Sequence, residues 1–208
     1  MLRKIILGCT LALALLAGQK VDAAVVSSLP NGINVPMPAI NYFGTGPQAM
    51  APGITWTAEY INSVFGYTGG YGFAANGFWN GLTMMGTNNS FLSMAVTFDS
   101  PVSGVGGFVN YAPGTGLPQL SAYNGEILLE SVVLTFLTGG GLNSGQFVGF
   151  LFSSPSITKF VLQGAYVGLA NLRYELSPVP LPGALIFLIS GLGGMSAFNW
   201  FRRRKLAA

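Results

Sequence analysis

The sequence predicts an all-β protein with a single β-sandwich domain of jelly-roll or lectin-like type, an N-terminal signal peptide and a C-terminal transmembrane helix. Three observations support this prediction. Short segments of alternating polarity recur between the two ends, and glycine and proline interrupt the stretches long enough to form a helix. The long uncharged apolar runs lie near the two ends of the chain. Residues 24–177, about 155 in all, are enough for one domain with a core.

Two segments carry the clearest strand pattern. Residues 92–98 alternate apolar with small or polar side chains, as expected for a strand with one buried face. Residues 171–176 alternate in the same way and predict a strand with two distinct faces, Leu172, Tyr174 and Leu176 on one and Asn171, Arg173 and Glu175 on the other.

Further strands complete the predicted sandwich. Residues 126–137 are apolar on both faces over much of their length, which predicts a central strand. Asn124-Gly125 precedes them and favours a type I′ hairpin turn, because both residues tolerate positive φ. Other strands are expected at residues 54–60, 104–111, 146–153 and 157–163. Seven or eight short strands separated by turns predict a sandwich.

The N-terminus has the three parts of a secretory signal. Arg3 and Lys4 form a charged start, and residues 5–17 are mostly apolar. Val-Asp-Ala at residues 21–23 fits the small-x-small pattern that precedes a cut, so we expect cleavage between Ala23 and Ala24 and removal of residues 1–23. Cys9, the chain's lone cysteine, would leave with this segment.

The C-terminal segment, residues 178–208, combines a proline motif, an apolar run and a basic end. Residues 184–201 carry no charge and form a helix of roughly 27 Å, just enough to cross a bilayer core of about 30 Å. The basic residues that follow would stay cytoplasmic, which places the preceding domain outside. The motif and the basic stop consist of Val179, Pro180, Leu181, Pro182 and Gly183, and of Arg202, Arg203, Arg204 and Lys205.

These residues resemble the PEP-CTERM class of bacterial sorting signals in its VPLPA-type variant, with Gly183 where that variant usually has alanine. The resemblance implies an exosortase partner, a membrane protease-transferase that cuts near the proline motif. It also implies an inner-membrane precursor whose domain lies in the periplasm and later reaches the cell surface or the extracellular matrix of biofilm or floc. The alternative is a plain membrane anchor. Residues 167–174 resemble the closing strand of many such exported domains, with Ala170 in place of their usual aspartate.

Charge and composition exclude several functions for the exported part. Residues 24–178 carry two basic side chains against five acidic ones, a net charge of −3, so we expect no nucleic-acid partner. The chain has no histidine, which removes His-dependent catalysis and His zinc sites, and we expect no metal and no cofactor. Glu126 and Glu130, four residues apart in a strand, would be about 13 Å apart, too far for a glycosidase pair. We therefore expect that the protein is not an enzyme.

Residues 62–81 interleave aromatic side chains with glycine. Aromatics on an uncharged loop can stack on sugar rings or on another copy of the chain. They can equally cap the core of the domain. The candidates for glycan contact or self-association are Tyr67, Tyr71, Phe78 and Trp79.

The sequence thus predicts an exported structural or adhesive component of an exopolysaccharide matrix. The alternative is a glycan-binding, lectin-like module.

Overall fold

A computed structural model describes residues 23–176, which form strands, turns and one short 3₁₀ helix at Ala74–Asn76. The sixteen strands are β1 Ala23–Val26, β2 Ile33–Asn34, β3 Tyr42–Phe43, β4 Gln48–Ala51, β5 Ile54–Ala58, β6 Val64–Tyr67, β7 Tyr71–Gly72, β8 Phe78–Trp79, β9 Met84–Gly86, β10 Ser93–Val102, β11 Gly104–Asn110, β12 Gln119–Asn124, β13 Ile127–Val133, β14 Gln146–Phe152, β15 Ile157–Gln163 and β16 Gly168–Glu175.

The strands form two large antiparallel sheets that pack face to face, so the predicted all-β sandwich is confirmed. The eight-stranded sheet has the order β1-β14-β11-β16-β9-β6-β3, with β2 also paired to β16. The six-stranded sheet has the order β13-β12-β15-β10-β5-β4, and β7 and β8 form a separate hairpin. Side chains from both sheets fill the space between them, among them Trp56, Phe65, Val96, Val105, Phe150, Phe160 and Leu169.

The alternating pattern of β10 follows directly from its place in this sandwich. Met94, Val96 and Phe98 point into the core, and the residues between them are half-buried. The expected strands at residues 54–60, 104–111, 146–153 and 157–163 are likewise confirmed as β5, β11, β14 and β15.

The predicted central strand at residues 126–137 is wrong. β13 ends at Val133 and forms the edge of the six-stranded sheet, with β12 as its only neighbour in the sheet path. Its apolar character has two sources. Leu129 and Val132 pack against the core, whereas Ile127 and Leu128 are exposed to solvent. An edge strand with apolar residues on both faces has the same sequence pattern as a central one.

The predicted faces of residues 171–176 are correct only in part. Leu172 is buried, Tyr174 is half-buried, and Asn171 and Arg173 are exposed, as expected. Glu175, however, is buried and accepts a hydrogen bond from the Asn31 backbone N–H. Leu176 lies beyond the strand and is exposed, because the chain leaves the sheet there.

A bulge interrupts β16 at the same place. The register against β11 shifts between Gly106 and Phe108, which pair with Arg173 and Ala170, so Asn171 and Leu172 face a single residue of β11. Asn171 has φ +50°, the left-handed conformation that asparagine tolerates better than most residues.

The expected hairpin between β12 and β13 is confirmed, but its type I′ turn is wrong. Asn124 pairs with Ile127, so the two turn residues are Gly125 and Glu126 rather than Asn124 and Gly125. Of these two only Gly125 has positive φ, and a glycine first in the turn is typical of type II′. The Gly125 N–H donates to the Thr158 hydroxyl.

Both ends of the described chain lie at the same end of the sandwich. Ala24 of β1 pairs with Leu151, Leu151 with Gly104, and Gly104 with Glu175. Three strand spacings therefore separate Ala24 from Glu175, about 14 Å. No helix within residues 23–176 is long and apolar enough to cross a membrane. The predicted signal peptide, the proline motif, the span at 184–201 and the basic stop lie outside the described residues.

We predict that Gly106→Val strongly destabilises the domain. A Cβ built on Gly106 would lie 2.6 Å from the Gly149 Cα of the neighbouring strand, so both backbones would have to move apart. The expected loss is about 1–3 kcal/mol or more in the free energy of unfolding by urea. Gly72→Ala is the matched control, because its Cβ meets nothing within 4 Å, and it should change stability little. Equal stability of both variants would contradict the strand packing described here.

Candidate functional site

The aromatic and glycine-rich segment covers the outer face of the eight-stranded sheet. Its large side chains turn back onto that sheet and form a second apolar cluster, separate from the core between the sheets. The buried members of this cluster are Val64, Tyr71, Phe73, Trp79, Met84 and Ala170. The sheet is therefore buried on both faces where the β7–β8 hairpin crosses it.

Trp79 lies at the centre of this cluster. Its ring stacks on Phe108 with centroids 5.6 Å apart and meets the edge of Phe73 at 4.8 Å. Its indole Nε1–H donates to the Ser144 backbone carbonyl over 2.6 Å. The Trp79 ring thus packs against other aromatic rings, and its indole N–H has a hydrogen-bond acceptor inside the protein.

Tyr71 is also buried, and its hydroxyl is part of the structure. The Asn88 backbone N–H donates to the Tyr71 hydroxyl oxygen over 2.8 Å. Burial raises the pKa of Tyr71 far above its usual 10.0, although the hydrogen bond from Asn88 acts in the opposite direction. The phenol therefore stays neutral in the folded protein.

The four aromatics singled out from the sequence thus fall into two groups. Trp79 and Tyr71 are buried and offer no surface to a ligand. Phe78 is 46% exposed and Tyr67 is half-buried. Tyr67 meets Phe43, an exposed residue of β3, edge to face at 5.5 Å. Of the four candidates, Phe78 and Tyr67 therefore keep accessible surface, and Tyr67 shares it with Phe43.

A buried asparagine, which the sequence analysis did not identify, ties this region to the rest of the domain. Asn76 Oδ1 accepts a hydrogen bond from the Thr138 N–H, and Asn76 Nδ2 donates to the Phe136 carbonyl. Asn110 Nδ2 donates to the carbonyls of both Asn76 and Ser144. The only sequence signal for Asn76 is that it precedes a glycine, and an asparagine before a glycine is also typical of an exposed turn.

Four of the five acidic side chains of residues 23–176 have a hydrogen-bond or ion-pair partner. Glu59 accepts from the Ser93 N–H, Glu175 from the Asn31 N–H, and Glu130 from the Ser131 N–H. Glu126 lies in the β12–β13 turn and forms a salt bridge with Lys159 at 2.9 Å. Within this part of the chain no three acidic, histidine or cysteine side chains come together as metal ligands.

A shallow polar groove runs across the outer face of the six-stranded sheet. Its volume is about 240 Å³, and small side chains such as Thr57, Ser93 and Ala95 form its floor. Lys159 borders it and lies over the Tyr123 ring, with the ammonium 5.1 Å from the ring centroid. The residues that line the groove offer hydroxyl groups, the Glu59 carboxylate and the Lys159 ammonium, and none of them is aromatic.

Comparison with known proteins adds little. No protein family and no curated protein matches the sequence. Among solved structures, the chain is similar to a family two carbohydrate esterase from Cellvibrio japonicus, at 10% sequence identity and a TM-score of 0.23. The alignment covers 76% of this chain and 37% of that one, so this chain spans about a third of its length. A likeness at this TM-score carries no argument about fold or function.

We predict that the domain loses stability at alkaline pH through Tyr71. The raised pKa keeps Tyr71 protonated when folded, whereas the unfolded chain releases this proton near pH 10.0. The stabilising contribution is therefore complete below pH 10.0 and is lost as the pH rises above it. Urea unfolding between pH 8 and about 11.5 should show this decline, and Tyr71→Phe should flatten it. Tyr60→Phe is the control and should retain the decline. An unchanged pH profile for Tyr71→Phe would contradict the assignment.

Proposed function

We propose that this protein is an exported cell-envelope protein, sorted by an exosortase, that serves as a structural or adhesive component of an exopolysaccharide matrix. The proline motif, the apolar run and the basic stop at residues 178–205 support the sorting step. The sorting signal implies that the domain is first held at the inner membrane, facing the periplasm, and then reaches the cell surface or matrix.

The position of the two ends of residues 23–176 supports this proposal. The first and last described strands present Ala24 and Glu175 at one end of the sandwich, about 14 Å apart. A signal before Ala24 and a sorting segment after Leu176 would both attach at that end. The opposite end of the domain then stays free to make contacts.

We assign the sandwich to the jelly-roll or lectin-like type. Successive strands repeatedly change sheets, as β9, β10, β11 and β12 do in turn, which supports a jelly-roll connection rather than a simple meander. We propose no catalysis, since four of the five carboxylates within residues 23–176 already accept a hydrogen bond or form an ion pair.

We predict that changing the proline motif blocks processing. In a host with an exosortase, the intact mass of the mature protein should begin near Ala24 and end near the motif. Pro180→Ala combined with Pro182→Ala should leave residues 184–208 attached, because the enzyme would no longer recognise the motif. Pro155→Ala, an exposed proline of the domain, is the matched control and should be processed normally. Normal processing of the double variant would contradict the sorting proposal.

A second candidate, a glycan-binding module, is favoured by the exposed Phe43 and its half-buried neighbour Tyr67. Adjacent rings at a surface can stack on a sugar. The buried Trp79 and Tyr71 are unsuitable for this test, because their substitution would damage the fold.

We predict that, if the domain binds glycan, Phe43→Ser with Tyr67→Ser abolishes retention on the host's own exopolysaccharide. The circular dichroism spectrum should stay unchanged. Leu137→Ser, an exposed apolar residue on a different loop and outside this surface, is the control. Retention of the double variant, with altered matrix texture, would favour the structural role.

A further inference from the structure

An exposed apolar patch lies at the end of the sandwich opposite Ala24 and Glu175. It consists of Ile61, Phe91, Leu92 and Leu117, and we call it the tip patch. Phe91 is 72% exposed, Ile61 69% and Leu117 60%. The strand register gives this position. β10 begins at Ser93, directly after Phe91 and Leu92, and opposite Gln163. It ends at Val102, near Gly104, which pairs with Glu175. Isolated exposed apolar residues are ordinary, whereas a group of four on neighbouring loops marks an interaction surface.

The loop that carries Phe91 and Leu92 is held firmly. Asn89 Oδ1 accepts hydrogen bonds from the backbone N–H groups of both Phe91 and Leu92, at 2.8 and 3.0 Å. The Ser90 carbonyl accepts from the Ala165 N–H and the Leu92 carbonyl from the Gly164 N–H. The two apolar side chains are therefore presented on a fixed backbone, so a partner would not have to order the loop.

The other two members of the tip patch are attached to this same loop. Asn88 Nδ2 donates to the Asn62 carbonyl over 2.9 Å, which fixes the turn that carries Ile61. Gly116 passes so close to the Ser90 carbonyl that a Cβ there would collide with it, and Leu117 follows directly. The three loops that carry the tip patch therefore lie against one another.

The charged side chains of residues 23–176 are unevenly distributed along the sandwich. Glu59 lies beside the tip patch, where its carboxylate accepts from the Ser93 N–H. The other six lie at the middle of the strands or toward the end with Ala24, namely Asp99, Glu126, Glu130, Lys159, Arg173 and Glu175. Two facing tips therefore bring together no charged side chain of residues 23–176 other than Glu59, whose carboxylate is held by the Ser93 N–H.

We propose that the tip patch binds the tip patch of a second copy of this chain. The contact is isologous, so Phe91 of one copy packs near the two-fold axis against the same residue of the other. Aliphatic Ile61, Leu92 and Leu117 offer sugar hydroxyls no hydrogen bonds, which favours an apolar protein surface as the occupant. This deepens the proposed adhesive role and rests on it, since export would bring many copies to one surface.

The edge strand β13 is a weaker candidate for the same contact. It also exposes Ile127 and Leu128, but it carries Glu130 and a register shift against β12. A charge and a bulge are two devices by which natural proteins prevent the edges of sheets from pairing.

The test is cross-linking of the full chain in cells. In a Cys9→Ser background, Phe91→Cys is treated with a short bis-maleimide, with Ser100→Cys at the opposite end and Ile127→Cys on the edge as controls. Phe91→Cys should give about tenfold more covalent dimer than either control, and adding Ile61→Asp should remove that excess. Leu117→Cys serves as a second probe if Phe91→Cys accumulates poorly.

Equal dimer from all positions, or more from Ser100→Cys or Ile127→Cys, would overturn the tip contact. The intact mass of the same samples separates this result from failure of the proposed function. Dimers of unprocessed chain would refute sorting but support the tip contact. Processed chain without dimers would support sorting but refute the tip contact.

Discussion

The domain depends on one constraint, which is that the eight-stranded sheet must be buried on both faces. Strands β11 and β16 run through its middle, with Val105 and Leu169 facing the other sheet and Phe108 and Ala170 facing the β7–β8 hairpin. β11 is covered on both faces along its length and shows no polar alternation, whereas β16 regains alternation at Asn171 and Arg173, beyond the hairpin. Close approach of neighbouring strands in the covered part favours glycine. Gly106 and Gly149, which face each other across β11 and β14, are the direct result.

The same constraint explains the aromatic and glycine-rich segment. Trp79, Phe73 and Tyr71 supply the apolar volume that closes the outer face, and the Trp79 and Tyr71 polar groups are satisfied by Ser144 and Asn88. A segment that resembles a binding loop in sequence is therefore a second core. The aromatic surface left for ligands is smaller than the composition indicates. The tip patch is a separate exposed apolar surface, away from most of the charged side chains of residues 23–176.

The sequence predicted the strands with one buried face well, because period-two alternation in β10 reports its environment directly. It failed where one pattern fits two environments, as with β13, whose outward Ile127 and Leu128 mimic a central strand. It also failed at Glu175, which is buried because Asn31, distant in sequence, supplies its hydrogen bond. Of the candidate aromatics, no local signal separated the buried Trp79 from its exposed neighbour Phe78, since that difference depends on tertiary packing. The proposed sorting role of residues 178–205 rests on the sequence motif, which lies outside the described residues.

The two ends of the described segment, near Ala24 and Leu176, lie at one end of the sandwich, and the tip patch lies at the other. Electron spin resonance between paired labels tests it directly, with one pair at Ala24→Cys and Leu176→Cys and another at Phe91→Cys and Leu176→Cys, both in a Cys9→Ser chain. The account predicts that the distance between the labels at 24 and 176 is short, near the roughly 14 Å of three strand spacings plus the label arms. The distance between the labels at 91 and 176 should be longer by about 10 Å or more, because β10 alone spans roughly 30 Å. A first distance equal to or longer than the second would contradict it.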